Sequence, residues 1–112
     1  VRIAIPTSDG NLDQHFGHCA RFALIDVNRA TNEITATIEM PAPEHQPGLL
    51  PPWLKERNVD LVIAGGMGSR AQALFQEAAI EVITGAPQEP PLALVRQYLQ
   101  GTLVSRPHTC HH

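Results

Sequence analysis

Apolar positions along the chain fall into short runs separated by turn-forming residues. Val1, Ile3 and Ile5 alternate and predict a strand over residues 1–6, ended by Pro6. Thr7-Ser8-Asp9-Gly10 is a turn signal, and residues 11–20, which carry Gly17 and no period, read as a loop. Phe22, Ala23, Leu24, Ile25 and Val27 predict a strand over 21–28, and residues 33–40 predict another. The polar stretch 28–32 between them is short enough for a hairpin.

Five prolines between Pro41 and Pro52 make the next stretch irregular. A helix is expected from Pro51 or Pro52, with Leu49, Leu50, Trp53 and Leu54 inward and Asn58 as its stop. Leu61, Val62 and Ile63 form a continuous apolar run over 60–64, the pattern of a strand buried on both faces. After Gly65-Gly66-Met67-Gly68, a helix is predicted from Ala71, Leu74, Phe75 and Ala78 at i, i+3, i+4, i+7, with Ser69 and Gln72 as a capping box. Residues 80–84 read as a short buried strand. Pro90-Pro91 opens a last helix with Leu92, Val95 and Leu99 inward and Gly101 at its end. Residues 102–112 show no helical period. The order βββ then αβαβα predicts an α/β domain. Its mixed five-stranded sheet has the first three strands antiparallel, the later ones parallel to the first, and helices on both faces.

Composition narrows the function. A chain of 112 residues fits one domain, 1–112, with an irregular Cys/His tail over 101–112. Eight Lys+Arg against eleven Asp+Glu, with no basic cluster, argue against nucleic acid or an anionic membrane as partner. No stretch is long and apolar enough for a membrane span or signal-peptide core, so a soluble cytoplasmic protein is expected. Two cysteines far apart do not suggest a disulfide scaffold.

Histidine is the more telling count. Of six, five lie within four residues of a cysteine: His15 and His18 near Cys19, and His108, His111 and His112 near Cys110. Imidazole and thiolate suit Zn, Cu and Fe–S species rather than Mg or Ca. The competing reading is a buried Cys19 beside solvated histidines, with a frayed or tag-derived terminus. His45, in the proline-rich stretch, is a further donor. Residues 66–71 match G-x-G-x-x-A at a helix start, where free N–H groups favour an anion and Arg70 adds positive charge; a tight turn is the alternative. Catalysis finds little support, because the first strand lacks a central carboxylate and neither Ser8 nor Ser69 sits in a nucleophile elbow.

Several stretches together resemble the dinitrogenase iron–molybdenum cofactor biosynthesis family, which includes NifX, the C-terminal part of NifB and the orange protein. They are Ile3-Ala4-Ile5-Pro6-Thr7-Ser8-Asp9-Gly10, His15-Phe16-Gly17-His18-Cys19-Ala20-Arg21-Phe22, Ile63-Ala64-Gly65-Gly66-Met67-Gly68-Ser69-Arg70-Ala71 and the ending Cys110-His111-His112. The resemblance implies a ribonuclease H-like three-layer fold and a native terminal His pair. It also implies non-catalytic binding or carriage of an anionic metal–sulfur cluster, Fe–S or Mo-containing, in cofactor assembly. By position it carries to His15, His18, His45, Cys19, His108, Cys110, His111 and His112 as metal donors. It carries to Gly65, Gly66, Met67, Gly68, Ser69 and Arg70 as a cradle for the cluster. Metallocofactor assembly proteins, among them P-loop Fe–S assembly ATPases, are the partners it implies. The alternatives are a nucleotide-binding regulator using 66–71, or a protein with a mononuclear Zn or Cu site of Cys and His.

Overall fold

A computed structural model of the chain describes residues 1–14, 19–44 and 48–103. Its elements are β1 (Arg2–Ser8), β2 (Asn11–Leu12), β3 (Arg21–Asn28), β4 (Glu33–Pro41), α1 (Leu50–Lys55), β5 (Leu61–Ile63), α2 (Ser69–Glu77), β6 (Glu81–Ile83) and α3 (Pro91–Gln100). The strands form one mixed sheet in the order β4-β3-β1-β5-β6, with β2 paired to β1. β1, β3 and β4 are antiparallel neighbours, whereas β5 runs parallel to β1 and β6 parallel to β5.

Strand alternation sorts the core into two halves. Ile3, Ile5, Ile25, Leu61 and Ile63 pack on one face with Leu94 and Val95 of α3. Ala4, Phe22, Leu24 and Val62 pack on the other with Leu54 of α1 and Phe75 of α2. The expected mixed sheet with helices on both faces is therefore present, widened to six strands by β2.

Three readings of the chain change. The first strand passes through Pro6 and continues to Ser8. The Arg2 carbonyl accepts from Asp60, so even-numbered residues of β1 turn toward β5; β5 pairs only with Ile3 and Ala4, and the missing N–H of Pro6 meets no acceptor. Part of the expected loop 11–20 is strand, because Asp9 and Gly10, both with positive φ, make the two-residue turn that sets Thr7 opposite Leu12. The strand read over 80–84 is a half-exposed edge rather than a buried one.

Candidate functional site

The C-terminal end of β1 is flanked by two loops. On one side the hairpin partner β2 fills the space above β5. The Asp13 amide donates to the Pro6 carbonyl (2.9 Å), and the Gly66 amide donates to the Gln14 carbonyl (3.0 Å). Gly65 is required by this approach, since a Cβ there would stand 3.0 Å from Gln14 Cα and 3.2 Å from a Leu12 methyl. On the other side Ala20 returns to β1, donating its amide to the Thr7 carbonyl (3.1 Å) and to Ser8 Oγ (3.2 Å). Ser8 Oγ in turn donates to Asp13 Oδ2 (2.8 Å). One serine thus holds both ends of the stretch from Asp13 to Ala20. The sequence reading weighed Ser8 only as a nucleophile and did not single out Asp13; the Asp-Gly turn was the available signal, since it pairs Ser8 with Asn11 and brings Asp13 back beside β1.

Cys19, two residues before β3, is half-buried and packs against the core half beneath α1 and α2. Gly65 to Arg70 leave β5 for α2 on the same face of the sheet. Gly65 and Met67 are buried, Gly66 is half-buried, and Gly68, Ser69 and Arg70 are exposed. With β1 lying between β3 and β5, the two segments leave the sheet on either side of β1, from strands roughly 10 Å apart, two strand spacings. That end of the sheet, outside the carboxyl ends of β1 and β5, is where an α/β sheet usually holds a ligand, in the crevice its loops border.

The helix start differs from expectation. Gly68, not Ser69, occupies the N-cap, and among the described residues no side chain caps the first turn. Gln72 does not form a capping box. Its Nε2 donates to the Met67 carbonyl (2.8 Å), fixing the turn below the helix. Among the described residues the first-turn N–H groups therefore have no side-chain cap, and an added Cβ at Gly68 would meet nothing within 4 Å. Unlike Gly65, Gly68 has no packing reason to be glycine. Among the described residues the ion pair is Arg2–Asp26, at the far end of β1, and none of their carboxylates pairs with Arg70.

Of the expected metal donors only Cys19 falls within the described residues. His15, His18, His45, His108, Cys110, His111 and His112 lie outside them. Among the described residues no group of three His, Cys, Asp or Glu side chains could hold a metal ion. α3 runs away from the crevice, its Tyr98 accepting from Arg29 in the β3–β4 turn (2.9 Å), and Leu103, the last described residue, packs on the α3 side of the core.

The chain matches the family model for the dinitrogenase iron–molybdenum cofactor over residues 1–101. Among solved structures it is similar to PH0822, with TM-score 0.86, 25% identity and 96% of each chain covered. It is also similar in fold to the apo form of the orange protein from Desulfovibrio gigas, with TM-score 0.71 and 24% identity over 95% of this chain and 92% of that one. A search of curated proteins gave no match. The match over residues 1–101 makes the chain a member of the dinitrogenase iron–molybdenum cofactor family.

Proposed function

With the chain placed in that family, we propose that it binds and carries an anionic metal–sulfur cluster, Fe–S or Mo-containing, without transforming it. The observation that carries this reading is what the fold gathers at one end of β1. A soft donor, Cys19, precedes β3 there, and the start of α2, with no side-chain cap and with Arg70 in its first turn, follows β5 at the same end of the sheet. The cluster is cargo in this scheme. A thiolate at Cys19 would ligate a metal at its edge. The open N–H groups from Gly68 onward, aided by Arg70, would meet its negative charge. His15, His18 and His45 are proposed as further donors, as are His108, Cys110, His111 and His112. Cys110 stands seven positions after Leu103, and extended chain of that length reaches at most about 25 Å. That is enough to run back along a sheet whose seven-residue β1 spans roughly 20 Å. The three-layer arrangement also fits a ribonuclease H-like fold. A cytoplasmic setting suits a thiolate donor, and assembly proteins, P-loop ATPases among them, are the proposed donors and acceptors.

The test is metal and acid-labile sulfide content after anaerobic purification and cluster reconstitution, on the wild type and two variants. Iron or molybdenum with sulfide is expected in the wild type. Cys19→Ser should lower loading several-fold. Gly68→Ser should also lower it, while leaving stability within about 0.5 kcal/mol, because serine is as good an N-cap as glycine or better. Absence of sulfide from reconstituted wild type, or equal loading of all three proteins, would reject the site. Zinc alone would indicate a mononuclear site, and saturable ATP or NAD binding a nucleotide one.

A further inference from the structure

The sheet has two edges, and they differ. β6 is three residues long, whereas β4 is nine, and among the described residues nothing pairs with its outer side. Natural sheets protect long edges with lysine, proline or a bulge. In β4 the bulge lies opposite Asp26 and Val27, and the only proline is Pro41, the last residue. Residues 36–40 between them are regular and carry no cation. Ile38, in their centre, is 47% exposed and is one of two large apolar side chains so exposed among the described residues.

Hydrogen-bond parity shows what this edge can accept. The Ala42 amide donates to the Ala20 carbonyl, so narrow pairs recur at every second position: Phe22 with Met40, Leu24 with Ile38, Asp26 with Ala36. The even-numbered residues thereby spend their backbone groups on β3. Thr37 and Glu39 turn theirs outward.

We propose that the open edge of β4 is a self-association surface, on which a second copy of this chain adds its own β4 antiparallel about a two-fold axis at Ile38. This register makes Thr37 and Glu39′ (the prime marks the second copy) a hydrogen-bonded pair, and its symmetry mate likewise, so every outward amide and carbonyl of 37 and 39 is used. Ile38 meets Ile38′ at the wide position, where side chains come closest, and Ala36 meets Met40′ on each side of it. The face toward α1 becomes a continuous apolar ladder, with Thr37 and Glu39′ on the other face. No like charges stand opposite each other. An axis at Ala36 would instead set Glu33 against Glu39′ and run through the bulge; an axis at Thr37 would draw the bulged Thr35 into the ladder. The two crevices then point in opposite directions and remain separate.

The test uses the full chain. Sedimentation velocity over a wide concentration range should show a reversible dimer, and hydrogen exchange should show the Thr37 and Glu39 amides slowing as concentration rises. Ile38→Lys and Thr37→Pro should each weaken the dimer at least roughly tenfold. Both leave the bonds to β3 intact, and unchanged circular dichroism will verify the fold. A monomer at every concentration overturns the proposal. Protected 37 and 39 amides in a monomer would mean that another segment of the chain covers the edge, which overturns it too, as does a dimer indifferent to both substitutions.

Discussion

Three residues close the three helices in the same way. Asn58, Ala79 and Gly101 have φ of 61, 61 and 75, and their amides donate to Lys55, Gln76 and Tyr98. The next amide in each case reaches one residue further back: Val59 to Leu54, Ile80 to Phe75, Thr102 to Gln97. This is the Schellman closure, whose left-handed position suits glycine and tolerates asparagine. Asn58 and Gly101 are legible in the sequence as stops for that reason. Ala79 is not, because alanine is the best helix former and carries a Cβ the left-handed conformation penalises. Only the need to turn Ile80 into the core, where it is 3% exposed, explains it. Ala79→Gly should therefore raise stability by about 0.5–1 kcal/mol. The check is a urea midpoint that rises at unchanged slope.

At the scale of elements, the strands and helices were readable because each depends on a local period, and the mixed sheet follows from their order. The parts that were not readable depend on contacts between segments distant in sequence. Pro6 ends a strand by local rule but continues one here, because β5 is too short to reach it. Ser69 and Gln72 have capping-box spacing, yet the N-cap falls at Gly68, just after the 65–66 backbone that meets Gln14. For the candidate site, the glycine-rich helix start was visible as a motif. The clamp of Ser8, Asp13 and Ala20 was not, since no motif joins residues on three different segments. The Gln72 bond to Met67 gives this reading a measurable consequence. Gln72→Ala removes the donor and leaves a partly buried carbonyl unpaired, at a cost of about 1–2 kcal/mol. The same change should speed hydrogen exchange at the start of α2 more than in its last turn. Uniform acceleration along the helix would mean that Gln72 supports the fold in general and not this turn.

Across the whole molecule, the charge-rich end and the crevice are separate. Arg2 forks onto Asp26 through Nε (2.7 Å) and Nη2 (3.1 Å), and its Nη1 donates to the Arg57 carbonyl just after α1. Arg57 itself lies over the Trp53 ring, 3.8 Å from its centroid. This network ties the start of β1 to β3 and to the end of α1. The hydrogen bond from Arg2 is the main cause holding the Asp26 carboxyl below its ordinary range, with burial opposing it. A carboxylate depressed in the folded state contributes stability that is present above its unfolded pKa and lost as pH falls through the folded value. Asp26→Asn should thus lower stability at neutral pH by up to about 1 kcal/mol, the half-exposed setting limiting the effect. It should also flatten the decline of stability from mildly acidic pH downward. Cargo binding should respond differently. Six residues of strand put Ser8 roughly 20 Å from Arg2, more than two Debye lengths at physiological salt. Cluster loading of Asp26→Asn at neutral pH should therefore equal that of wild type while its acid unfolding curve changes. Loss of loading in a variant that is still folded would show that the network at the start of β1 reaches the crevice through the strand itself, and the two ends could no longer be treated as independent.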